Sequence, residues 1–119
     1  MERMGVSRSA DARRGAASVT WVDVTAATLP DGTLVSVAHQ ASLAAVARVD
    51  GAWLAVDGWC THQECPLADG WVEDRAVRCA CHGALFDLAT GEVLEGPATE
   101  PVIVYPTRVS GDRVEVELP

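Results

Sequence analysis

The chain of 119 residues contains no lysine, one tyrosine and one phenylalanine. All nine of its basic residues are arginine, set against 17 Asp and Glu for a formal net charge of −8. The shortage of positive charge is uneven. Residues 1–18 hold Arg3, Arg8, Arg13 and Arg14 against Glu2 and Asp11, whereas residues 19–119 hold five arginines against 15 acids. An acidic body repels nucleic-acid phosphates and anionic membranes and attracts basic protein partners, which argues against nucleic-acid binding. Long apolar runs are missing too. The longest candidate, residues 41–49, is interrupted by Ser42 and Arg48, far short of the roughly 20 residues that a membrane helix needs. The length leaves no room for a catalytic domain beside a first one. No repeat is present, and no low-complexity segment beyond the first residues.

The Arg13-Arg14 pair invites an export-signal reading, but residues 15–23 reach Asp23 without a long apolar stretch. We therefore expect a tail over residues 1–17, one domain over residues 18–119, and a soluble, cytoplasmic protein.

What is present is a series of short apolar runs divided by turn signals. Val19, Trp21, Val22 and Val24 form the first run, ended by Leu29-Pro30-Asp31-Gly32, and Thr33 to Ala38 form the second. Leu43 to Val49 and Ala52 to Val56 flank Asp50-Gly51, a strong hairpin signal. Alanine dilutes the period in Leu43-Ala44-Ala45-Val46-Ala47, so a helical turn stays open there. Trp71 to Arg78 reads as another hairpin. Leu85 to Leu88 and Glu92 to Leu94 flank Ala89-Thr90-Gly91, and Val102 to Val109 is expected to pair with Val114 to Leu118. This pattern predicts an all-β fold, a small antiparallel sandwich or barrel.

The chemistry sits between those runs. Cys60 and His62 form a Cys-x-His pair, and after a gap of sixteen residues Cys79 and His82 form Cys-x-x-His. Two thiolates and two imidazoles suit a structural zinc ion in a tetrahedral site. They also suit a two-iron two-sulfur cluster with two Cys on one iron and two His on the other. Spacing alone leaves both open. In the second case the charges favour reduction, because two ferric irons, two sulfides, two thiolates and two neutral imidazoles sum to zero. Four thiolates would leave the oxidised cluster doubly negative and harder to reduce in a low dielectric.

The loops read Cys60-Thr61-His62-Gln63-Glu64-Cys65-Pro66-Leu67 and Cys79-Ala80-Cys81-His82-Gly83-Ala84-Leu85-Phe86-Asp87. With Asp69-Gly70 they closely resemble the cluster loops of Rieske proteins. The resemblance implies one 2Fe-2S cluster in a subdomain at the tip of the β assembly. Cys60 and Cys79 would hold the buried iron, and His62 and His82 the outer one near the surface. It also implies roles outside the ligand set. In Rieske proteins of the cytochrome bc type, residues at the places of Cys65 and Cys81 form a disulfide between the loops. Cytosolic redox poise by itself favours two reduced thiols, but burial beside a cluster can isolate the bond from glutathione, so a Cys65–Cys81 disulfide is expected. Gly96-Pro97-Ala98 resembles the proline loop that covers the cluster's third side.

High-potential members of the family place Ser and Tyr where this chain has Ala84 and Phe86. Without those hydroxyls the potential is expected in the lower half of the Rieske range. The chain is thus like a respiratory protein in its cysteine pair and like an oxygenase ferredoxin in its tuning positions.

Other residues carry two readings each. Trp59 and Trp71 either shield the cluster from water or serve as core aromatics. The acids Glu64, Asp69, Glu73 and Asp74 form either a docking rim or a solvated face, and His39 is expected to be an ordinary surface histidine.

The resemblance implies a one-electron carrier rather than an enzyme. It would pass electrons from a flavin-dependent, NAD(P)H-oxidising reductase to a terminal oxygenase, with a monomer as the default for so small a carrier. The alternative is the small subunit of a molybdenum oxidase or respiratory complex, bound to an oxidase large subunit. A zinc-stabilised binding module and a redox sensor built on Cys65 and Cys81 are the remaining readings.

Overall fold

A computed structural model describes residues 19–119, and the tail expected over residues 1–17 lies outside them. Eleven strands run in chain order among the described residues. They are β1 Thr20–Ala26, β2 Leu34–His39, β3 Ser42–Val49, β4 Ala52–Asp57, β5 Trp71–Glu73 and β6 Ala76–Arg78. β7 Leu85–Asp87, β8 Val93–Glu95, β9 Val104–Tyr105, β10 Thr107–Ser110 and β11 Arg113–Leu118 follow. One 3₁₀ turn, Leu67–Asp69, lies in the first loop. The strands build three antiparallel sheets with the orders β9-β4-β3-β2, β10-β11-β1 and β5-β6-β7-β8.

β3 is the hub. It is buried on both faces, with Ala44, Ala45, Val46 and Ala47 all fully covered. Successive side chains of a strand point to opposite faces. Ala44 and Val46 pack with Trp53, Ala55, Val114, Val116 and Leu118, filling the space towards the β10-β11-β1 sheet. Ala45 and Ala47 pack with Val56, Leu67, Val77, Phe86 and Leu88 on the other side. Two-sided burial removes the polar alternation that marks a half-exposed strand. That is why this run admitted a helical reading, and the structure makes it a strand.

The Asp50-Gly51 turn has φ of 51° and 83° at its two residues, the left-handed pair that a tight two-residue hairpin requires. Val49 and Ala52 face each other across it. One expectation needs correction. Val102 to Val109 is not a single strand, because Val104–Tyr105 pairs with β4 while Thr107–Ser110 pairs with β11. Pro106 has no N–H to donate, so a ladder cannot run through it, and the chain changes sheets at that point.

The β5-β6-β7-β8 sheet is the subdomain that carries both cysteine-histidine loops. One loop enters it after β4 and the other connects β6 to β7. The first loop is fastened at its base: Gly58 N–H donates to the Leu43 carbonyl at 2.8 Å, and Leu67 N–H donates to the Gly58 carbonyl at 2.8 Å. Gly70 closes the same loop where no side chain fits, since a Cβ there would lie 1.8 Å from the Arg78 carbonyl oxygen. This close approach brings the end of the first loop against the start of the second.

Candidate metal centre

Cys60 and Cys79 come from the two loops and meet at the bottom of the site. Both are free thiols, 4% and 1% exposed respectively. They belong to the apolar cluster that also contains Leu67, Val77, Ala84, Phe86 and Ala98. Burial pushes the Cys79 thiol above its ordinary value. Amide hydrogen bonds from Cys81 and His82 pull it back, and the facing Cys60 thiol, within hydrogen-bonding reach, raises it further. Two buried sulfurs held against each other favour a cation that would neutralise both on binding.

His62 and His82 lie above, both exposed. Their rings sit edge to face, with centroids 5.3 Å apart and planes at 87°. The structure thus pairs the four residues by burial, a buried thiol pair from the two loops and an exposed imidazole pair from the same loops. That donor set fits a 2Fe-2S cluster with a thiolate-bound iron inside and an imidazole-bound iron outside.

Cys65 and Cys81 are joined, with Cα atoms 6.5 Å apart and a separation of 16 in sequence. The bond ties the first loop to the second. The sulfurs of Cys65, Cys79 and Cys81 lie within 4.8 Å of one another. Two of the three are spent in the disulfide, so the trio is not a three-thiolate cation site.

The neighbours are apolar. Ala84 and Phe86 are fully buried and carry no hydroxyl towards the sulfurs. Pro97 follows a cis peptide bond and is exposed, whereas Ala98 is buried in the cysteine cluster. Trp59 and Trp71 are 42% and 51% exposed, so neither is a core aromatic. The Trp71 indole N–H reaches Glu73 Oε2 at 2.6 Å instead. His39 is half-buried at the end of β2, away from both loops.

Two ties escaped the sequence. Thr61 Oγ1 donates to the Glu100 carbonyl at 2.6 Å, fastening the first loop to the segment after Pro97. Arg78 grips Glu73 with two bonds, Nε to Oε2 at 2.9 Å and Nη2 to Oε1 at 2.8 Å. Its Nη1 reaches Glu95 Oε1 at 2.9 Å and the Gly83 carbonyl at 2.8 Å. The signal for Arg78 was its position beside Cys79, but a surface arginine looks the same in sequence.

Glu73 is thus not a free member of an acidic rim, while Glu64, Asp69 and Asp74 are exposed. Hydrogen bonds from Arg78 and then Trp71 hold the Glu73 carboxyl down from 4.5 to about 2. Because the folded value is depressed, this grip is present above about 4.5 and is lost only as the pH falls towards 2.

The Rieske [2Fe-2S] domain family matches residues 20–106. The chain belongs to that family. Its cofactor is accordingly the 2Fe-2S cluster, and zinc is set aside. Among relatives of this Rieske protein is the ferredoxin component of the naphthalene 1,2-dioxygenase system from Pseudomonas aeruginosa. It is 33% identical over 99 residues, covering 82% of this chain and 95% of the relative. The ferredoxin of Sphingomonas yanoikuyae B1 superposes with a TM-score of 0.76 at 29% identity, covering 84% of this chain and all (100%) of that one. A chain from the complex of reduced oxygenase and oxidized ferredoxin in carbazole 1,9a-dioxygenase superposes with a TM-score of 0.77. It is 32% identical, and the match covers 81% of this chain and 91% of that one. Among the described residues, no helix is long and apolar enough to cross a membrane.

Proposed function

We propose that this Rieske protein is a one-electron carrier whose cluster is held by Cys60, Cys79, His62 and His82. It takes electrons from an NAD(P)H-oxidising flavin reductase and delivers them to a terminal oxygenase in the cytoplasm. The observation that carries this reading is the layering of the site, with two free thiols buried beneath two exposed imidazoles. When bound there, the cluster supplies a single reversible electron. The protein's own part is to keep the sulfurs away from water and to present His62 and His82 at the surface, where a partner can approach. The relatives named as ferredoxin components of dioxygenase systems support an oxygenase as the acceptor.

A redox titration followed by electron paramagnetic resonance tests the reading. We expect a one-electron Rieske signal titrating below about 0 mV, in the lower half of a range of roughly −150 to +300 mV. Ala84→Ser places a hydroxyl where the high-potential proteins have one. It is expected to raise the midpoint by tens of mV, at about 59 mV per tenfold change in the one-electron equilibrium. A wild-type midpoint well above 0 mV, or no response to Ala84→Ser, would show that positions 84 and 86 do not set the potential.

Docking should be electrostatic, because the body is acidic and Glu64, Asp69 and Asp74 are exposed on or near the cluster loops. Neutralising these three as Gln and Asn is expected to slow electron delivery roughly 2–10-fold at low salt, with the potential unmoved. Equal rates for both proteins across a salt series would remove the acids from docking.

The Cys65–Cys81 bond favours a second reading, the small Rieske subunit of an oxidase or respiratory complex. Stable co-purification with a large catalytic subunit, in place of transient docking, distinguishes it.

A further inference from the structure

Arg78 has more contacts at the site than a surface ion pair needs. Its side chain is 20% exposed, it is held by two carboxylates, and it spends one N–H on a backbone carbonyl in the second loop. That carbonyl belongs to the peptide between Gly83 and Ala84. The neighbouring bonds close the same turn: Gly83 N–H donates to the Cys79 carbonyl at 3.0 Å, and Cys79 N–H donates to the Ala84 carbonyl at 2.8 Å.

The N–H and C=O of a trans peptide point in opposite directions. Holding the Gly83 carbonyl on the guanidinium therefore turns the Ala84 N–H away from Arg78. Ala84 is fully buried, and among the described residues none accepts a hydrogen bond from its N–H. Buried amides without an acceptor are rare, and their donor is usually met by a ligand or an ordered water. Ala84 belongs to the same buried cluster as Cys60 and Cys79, whose other members are apolar. A cluster sulfide or a ligand sulfur is the acceptor that chemistry supplies.

We propose that Arg78 is a positioning residue, fixing the Gly83–Ala84 peptide so that the Ala84 N–H donates to a sulfur of the cluster. The bond stands in for the hydroxyl that Ala84 lacks, because it stabilises the reduced, more negative state. Glu73 and Glu95 set the direction of the guanidinium and more than offset its charge, so Arg78 acts on the site by geometry. Lysine cannot replace it, since a single ammonium lacks the planar fork that meets two carboxylates and a carbonyl together.

The proposal rests on the assignment of the four ligands, and the experiment separates the two. The holo protein is compared with Arg78→Met combined with Glu95→Gln, which removes one positive and one negative charge together and leaves the local net charge as it was. After exchange into deuterated water, electron-nuclear double resonance on the reduced proteins counts the exchangeable protons coupled to the cluster. We expect the double variant to lose one strongly coupled proton. Its reduction is expected to be about tenfold less favourable, which is ~59 mV lower for one electron.

Wild-type coupling and potential in the double variant would overturn the proposal. A potential shift seen only in the single Arg78→Met variant would also overturn it, because the effect would then be one of charge. If the double variant takes up no iron, Arg78→Lys is read in its place. A weakened coupling with a lowered potential supports positioning, and wild-type values overturn it. No Rieske signal in the wild type would overturn the ligand assignment, and the role of Arg78 with it.

Discussion

Replacing Cys79 with alanine is expected to abolish cluster binding, leaving well under 10% of the wild-type iron and labile sulfide and no visible colour. Cys79 and Cys60 are the free thiols of the site, and in the proposed ligand set they would together supply both thiolates for one iron. With one removed, that iron keeps a single protein ligand in a pocket otherwise lined by Leu67, Val77, Phe86 and Leu88. No donor in that list can substitute. Cys65 and Cys81 lie nearby, but their sulfurs are bonded to each other. Cys60→Ala should give the same result. Because metal binding and folding are coupled, both variants should also melt at lower temperature.

The histidines make the useful contrast. Exchanging an imidazole for a thiolate by His82→Cys adds a negative charge, so the cluster either reduces at a lower potential or is lost. Iron and sulfide analysis with electron paramagnetic resonance decides the matter. Near-stoichiometric iron in Cys79→Ala would mean that the cluster is held elsewhere.

Removing the disulfide is expected to have the second-largest effect. Cys65→Ser with Cys81→Ser opens a ring closed over a separation of sixteen residues, and chain-entropy reasoning assigns a loop of that size about 3 kcal/mol. For a domain of this length, such a loss lowers the melting temperature by roughly 10–20 °C. The consequence for the site is sharper than for the fold. The first loop keeps its hydrogen bonds to Leu43, Glu100 and the 3₁₀ turn. It loses its one covalent link to the loop that carries Cys79 and His82. Iron release to a chelator should therefore accelerate more than unfolding does.

Cys81 is exposed, so a thiol reductant reaches the bond and should reproduce the effect in the wild-type protein. Unchanged melting and unchanged iron release in the double variant would remove the disulfide from any role in retaining the cluster. The loops would then be held by packing and by hydrogen bonds such as those of Gly58, Thr61 and Arg78.

Several features were legible because a single residue type makes them necessary. Asp50-Gly51 marked a turn, since its left-handed backbone pair is costly for most residues. The four ligand types and their spacings named two possible centres, because few side chains bind metals and short loops fix their separation. The strand over residues 42–49 was less plain. Alanine fits both faces of a covered strand, and its small side chain leaves no period to read. The break at Pro106 was visible as a proline, but the change of sheet was not, since it depends on which edges are free.

The sequence by itself determined the chemistry of this protein: which atoms can bind metal, the acidity of the body, and the absence of hydroxyls at positions 84 and 86. Those properties reside in single residues and survive unfolding. Only the tertiary structure decided what depends on two distant segments meeting. It buried Cys60 against Cys79, stacked His62 edge-on to His82, and left Trp59 and Trp71 in solvent. It also turned Glu73 from a rim acid into the anchor of Arg78 and carried that guanidinium to the Gly83 carbonyl. Contacts of that kind have no local sequence signature, because their energy comes from the packing that brings β5, β6, β7 and the two loops to one place.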